Sequence, residues 1–92
     1  MQIDLGDIRV SDESTYINDN GKELTVEQLT AGFWLCGFDR DGTCFEMSKI
    51  SKEWAEEIIY EGDEDDLYID DVGGGTYYWN ENSCDSGILH LH

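Results

Sequence analysis

Residues 32–47, GFWLCGFDRDGTCFEM, decide how this chain reads. Two runs rich in aromatic residues flank Asp39, Arg40, Asp41 and Gly42, and Gly42 suits a type I turn with a following bulge. The stretch therefore predicts a β-hairpin, placed at the centre of a sheet. Cys36 and Cys44 stand among aromatic and apolar neighbours, so they read as reduced core thiols rather than activated nucleophiles.

Working back from the hairpin, Thr25 and Gln28 stand at capping-box spacing and Ala31-Gly32 gives a stop. A short helix is expected there, with Val26 and Leu29 facing the core. Before it, the Asn20-Gly21 pair suits positive φ in a tight turn and ends a short extended piece, Thr15-Tyr16-Ile17. Residues 11–14 read as polar loop. Residues 2–10, QIDLGDIRV, alternate apolar and polar but change parity across Gly6, which suggests two short strands separated by a bulge or turn.

Working forward, Ser51 is the candidate N-cap of a second helix, KEWAEEIIYE, stopped by Gly62. Trp54, Ala55, Ile58 and Ile59 lie at i, i+1, i+4 and i+5, an apolar stripe that predicts a core-facing side. A three-stranded meander follows. Its strands are Leu67 to Val72, Thr76 to Trp79 and Ile88 to His92, with Gly73-Gly74-Gly75 as a flexible turn between the first two. The expected architecture is a single α+β domain over residues 1–92: a mainly antiparallel sheet of about five to six strands with two short helices on it.

Charge is distributed unevenly along this frame. Residues 1–52 carry ten acids against five bases, and residues 53–92 carry twelve acids and no base, giving −5 and −12 and summing to the net charge of −17. With 12% aromatic and 39% hydrophobic residues in patterned runs, the composition is that of a folded domain with a charged surface rather than a disordered chain. Three cysteines without CxxC spacing do not make a closed disulfide framework, which points to a reducing compartment. No run approaches the ~20 apolar residues of a membrane span, and the start MQIDLGD lacks the basic and apolar parts of a signal peptide. A cytoplasmic location is expected.

Known catalytic and ligand-binding patterns do not fit. With Gly21 or Gly42 as the sixth residue of a calcium loop, the first position falls on Tyr16 or Gly37, neither of which supplies the required carboxylate. His90 and His92 could join Cys84 or Asp85 at a zinc ion, but they read as two exposed imidazoles on a fraying terminal strand. The triple glycine follows Asp70 and Asp71 and runs into a Tyr-rich strand, whereas a phosphate loop runs into a helix and usually has a lysine nearby. Direct nucleic-acid binding needs Lys and Arg against phosphates. No carboxylate pair is set apart by an apolar surrounding that would raise one pKa, so neither a catalytic residue, a metal nor a cofactor is assigned.

What the acids do offer is a surface. Glu53, Glu57 and Glu61 repeat at i, i+4 along the second helix, where each like-charge pair costs about 0.2–0.5 kcal/mol. Glu61, Asp63, Glu64, Asp65 and Asp66 then crowd the C-terminal end, where the helix dipole favours cations. Local preferences broken twice in one place point to function. The candidate partner-binding set is Glu53, Glu56, Glu57, Glu61, Asp63, Glu64, Asp65, Asp66, Asp70 and Asp71, with Tyr60, Tyr68, Tyr77, Tyr78 and Trp79 as available aromatic anchors.

In size, in this acidic stretch and in lacking an active-site motif, the chain resembles the small acidic inhibitors that phages and other mobile elements encode against bacterial defence, notably anti-CRISPR proteins and nucleic-acid mimics. The resemblance implies a non-enzymatic, stoichiometric protein that occupies the basic nucleic-acid channel of a CRISPR effector complex in the host cytoplasm and blocks target DNA. Two other readings share parts of this logic: an immunity protein or antitoxin masking a basic toxin, and a small metal-binding regulatory module using His90, His92 and the acidic loop.

Overall fold

The computed structural model describes residues 8–61, 67–80 and 85–92. Seven strands form one sheet: β1 (Arg9–Ile17), β2 (Glu23–Leu24), β3 (Gly32–Phe38), β4 (Thr43–Ile50), β5 (Leu67–Val72), β6 (Gly75–Asn80) and β7 (Ser86–Leu91). One α-helix, α1 (Lys52–Tyr60), follows β4. The spatial order is β2-β1-β4-β3-β7-β6-β5, with β1 and β4 parallel and every other neighbouring pair antiparallel.

This corrects the expected α+β architecture with five to six mainly antiparallel strands and two helices: the sheet is mixed, has seven strands and carries one α-helix among the described residues. Two local causes account for the difference. The Thr25 turn does form, with the Gln28 side chain accepting from the Thr25 N–H at 3.0 Å, but it is a single 3-10 turn, Val26–Gln28. Leu29 returns to extended geometry (φ −60°, ψ 127°) and plugs the core at 2% exposure, so anchoring Leu29 takes the place of further helix. Residues 11–14, expected as loop, belong to β1, where the register against β4 shifts between Val10 and Thr15. That irregularity hides the strand alternation in the sequence, and Ser14 Oγ donates to the Cys44 carbonyl across it at 2.7 Å.

The hairpin does lie at the centre. β3 is the fourth of seven strands, and its unbroken apolar run reflects burial on both faces. Trp34 and Cys36 enter one core layer with Tyr16, Leu29, Cys44, Met47, Leu89 and Leu91. Phe33 and Leu35 enter the other, where Ile50, Ala55, Ile59 and Ile88 join α1 to the sheet. Trp34 is fully buried, and its indole N–H is satisfied by the Thr30 carbonyl at 3.0 Å. The sheet is thus a middle layer with apolar side chains on both sides.

The turns that begin at Asp39 and at Asn18 use one device. Asp39 Oδ1 accepts from the Asp41 and Thr43 N–H groups at 3.0 Å each, and Asn18 Oδ1 accepts from Asn20 and Lys22 at 2.9 Å each. Gly42 and Gly21 then supply φ of 76° and 77° at the fourth position. Positive φ at the second turn belongs to Gly21 alone, and Asn20 does not share it. The Asn18 side chain, rather than an Asn-Gly hairpin turn, closes it.

The C-terminal strand also departs from expectation. β7 runs between β3 and β6 instead of fraying at an edge, and Ile88, Leu89 and Leu91 are buried. His90 stacks on Phe33 with ring centroids 4.1 Å apart, and His92 Nε2 shares a hydrogen bond with Thr76 Oγ1 at 3.1 Å. The two imidazoles are therefore held in place rather than free. Burial on the helix side, with positive charge on His92 and Lys52 adding to it, lowers the His90 pKa.

Candidate interaction surface

α1 is a short helix built to expose acids. The Ser51 hydroxyl caps it by accepting from the Trp54 N–H at 3.1 Å, and Glu53 in the first turn meets the positive end of the helix dipole. Ala55 and Ile59 are buried against the sheet with Ile58 beside them, while Glu53, Glu56, Glu57 and Glu61 are all exposed. Glu56 meets Lys52 at 3.9 Å, an exposed pair of little energetic weight. Glu53, Glu57 and Glu61 are left as the outward ridge, and no base stands in the last turn.

Aromatic side chains flank that ridge. Tyr60 is 65% exposed and Trp54 50% exposed. Trp54 is a correction to the expected core stripe: at 100° per residue it falls at the margin of the Ala55–Ile58–Ile59 face, and a nine-residue helix buries only the centre of that face. The carboxylate ridge is thus bordered by a half-exposed indole and an exposed phenol, the side-chain types that most often dominate interface energetics.

The candidate acids do not form one continuous patch. Leu67 packs in the cluster of Ile58 and Ile59, so strand alternation turns Ile69 and Asp71 to the helix side of the sheet. Asp70 turns to the opposite side, where its Oδ2 accepts from the Trp79 indole N–H at 2.7 Å. Both carboxylates are exposed, on the outermost strand of the sheet. Asp63, Glu64, Asp65 and Asp66, and with them the expected Gly62 stop, lie outside the described residues.

Of the other aromatic residues, Tyr68 is 40% exposed and stacks on Trp79 at 4.3 Å, whereas Tyr77 and Tyr78 pack partly into the two core layers. Tyr77 holds its proton well above the usual phenol range, first because it is buried and further because Cys36, Cys44 and Asp70 lie close enough to oppose a second negative charge. Cys36 and Cys44 are buried free thiols; Cys36 is raised by its hydrogen bond with Cys44 and by burial. Cys84 lies outside the described residues. Among the described residues, no three His, Cys, Asp or Glu side chains converge as a metal-ligand set, and no helix is long and apolar enough to cross a membrane.

Comparison with protein families, with curated proteins and with solved structures finds no match to this chain.

Proposed function

We propose that this protein is a stoichiometric inhibitor that presents carboxylates to a basic nucleic-acid-binding site, of the kind phages direct against CRISPR effector complexes. The observation that carries the reading is the α1 ridge, in which Glu53, Glu57 and Glu61 are exposed, lack basic partners in the last turn and are flanked by exposed Trp54 and Tyr60. Successive glutamates along the ridge are four residues apart, a rise of about 6 Å, comparable to the step between phosphates along a nucleic-acid strand. A basic channel that holds phosphates would meet similar charge spacing on a rigid scaffold. Electrostatic steering would make association fast and salt-sensitive.

The role is binding rather than catalysis. Its ridge charges are solvated in the free protein and acquire partners only in the complex, so most of their effect falls on recognition and association rate.

The test is the triple charge reversal Glu53→Lys, Glu57→Lys and Glu61→Lys. Lysine is as good a helix former as glutamate, and all three positions are exposed, so the variant should keep its fold by circular dichroism. Titrated against purified effector complexes of several types, the native chain should block target-DNA binding near one-to-one stoichiometry for at least one type. The reversed variant should require at least about 100-fold more protein, the effect of several interfacial charge pairs turned repulsive. A folded variant that inhibits as well as the native chain would remove α1 from the contact, and failure of the native chain against every type would remove CRISPR effectors as the target.

A further inference from the structure

On the sheet face opposite α1, a groove of about 530 Å³ is lined by Ile8, Phe38, Val72, Tyr77 and Trp79, with Asp70 of the outermost strand β5 at one end and Gly42 of the β3–β4 turn, three strands away, at the other. Its volume lies within the ~300–1,000 Å³ of ligand-holding clefts. The walls are aromatic and internally braced: Phe38 and Tyr77 meet edge to face at 5.7 Å, and Trp79 is stacked on Tyr68 at 4.3 Å with an interplanar angle of 15°. The Trp79 indole N–H fixes Asp70 through Oδ2, which leaves Oδ1 as an acceptor beside the ring.

We infer that this groove takes an arginine side chain, with the guanidinium lying against the Trp79 ring and donating to Asp70. Three features select that chemistry. Aromatic faces attract cations through their quadrupole, and the exposed carboxylate of Asp70 adds negative charge beside the indole. A planar guanidinium can stack on an indole and donate in-plane to a carboxylate at once, which a tetrahedral ammonium cannot do. The wall beneath is apolar, suited to the methylene stem.

One cation of this chain already stands near the far end: a side chain built on Gly42 would lie 3.3 Å from Arg9 Nη2. Arg9 repels an incoming cation from the Gly42 end and leaves the Asp70 end to it. It also supplies an electrostatic check, because removing its charge must strengthen a cationic ligand where removing the charge of Asp70 must weaken it. The source of the arginine, a basic protein partner, rests on the function proposed above; the affinity of the groove for a guanidinium does not.

The experiment is an NMR titration of the full chain, ¹⁵N-labelled, with the blocked peptides acetyl-Gly-Arg-Gly-amide and acetyl-Gly-Lys-Gly-amide. The arginine peptide should shift the Trp79 indole N–H resonance in a saturable way and leave those of Trp34 and Trp54 in place. Asp70→Asn keeps an oxygen to accept from Trp79 while removing the charge, and should weaken the arginine peptide about tenfold, as expected for one charge-assisted hydrogen bond. Arg9→Gln should tighten it by about twofold to threefold, the scale of one screened charge near a surface, and Glu27→Gln, remote on the 3-10 turn, should leave it unchanged. An unmoved Trp79 resonance, a lysine peptide bound as tightly as arginine, or indifference to Asp70→Asn would each overturn the assignment. If the groove fails while charge reversal on α1 abolishes inhibition, the proposed function stands without it; if the groove binds and charge reversal has no effect, the reverse holds.

Discussion

Gly75 shows how one residue can be misread when its neighbours are unknown. In sequence it is the third member of a glycine run and suggests a flexible turn; in the fold it opens β6 opposite Leu91, and a Cβ there would lie 2.3 Å from the His90 carbonyl oxygen. The constraint is close approach of two strands, set by a residue fifteen positions away. Gly21 is the opposite case, with φ of 77° but no atom within 4 Å of a built Cβ. Gly75→Ala should therefore destabilise by about 2–3 kcal/mol or more through strand displacement, while Gly21→Ala should lose only about 1–2 kcal/mol of left-handed strain. Urea denaturation of the two variants checks the ranking, and equal losses would contradict it. Trp54 makes a related point, since a large apolar residue at the edge of a helical stripe gives no sign in sequence of whether the sheet beneath reaches far enough to cover it.

Among the elements, those governed by near neighbours were the legible ones. The β3–β4 hairpin, the Ser51 cap and the strands of the meander follow from turn chemistry, capping and periodicity within a few residues. The parallel pairing of β1 with β4 could not be read this way, because the partners are separated by β2, the 3-10 turn and β3, and the bulged, polar middle of β1 masks its alternation. Placement of the candidate acids was half legible for the same reason. Helical spacing put Glu53, Glu57 and Glu61 on one ridge, but only the register of β5 against β6 shows that Asp70 and Asp71 face opposite sides.

β5 is also an edge strand with Ile69 59% exposed, the kind of element that pairs with copies of itself unless something prevents it. Asp70 and Asp71 would meet like charges in such a pairing. Asp71→Val, which leaves Asp70 and its bond to Trp79 intact, should therefore self-associate more strongly with rising concentration than the native chain does in sedimentation velocity. A variant that sediments as the native chain does at the same concentrations would mean that the charge at Asp71 does not protect the edge.

At the scale of the whole molecule, the sheet separates two negatively charged regions of different character. The helix side carries a ridge of solvated glutamates flanked by Trp54 and Tyr60; the opposite side carries a braced aromatic groove with the Asp70 carboxylate at one end. A net charge of −17 on 92 residues disfavours compaction through self-repulsion, and the largely apolar layers on both sheet faces, with Trp34, Met47, Ile88 and Leu89 almost wholly buried, offset that cost. Asp39 closes its turn and Asp70 holds Trp79, whereas of the α1 ridge only Glu53, in the first helical turn, has a structural use. The ridge's most direct test is competition on a purified effector complex that the protein inhibits. Pre-bound target DNA should reduce binding of the protein in proportion to its occupancy, and the affinity of the protein for the free complex should fall steeply between low and physiological salt. A stable ternary complex of protein, effector and target DNA, with an affinity indifferent to salt, would contradict the claim that the ridge occupies the place of nucleic acid.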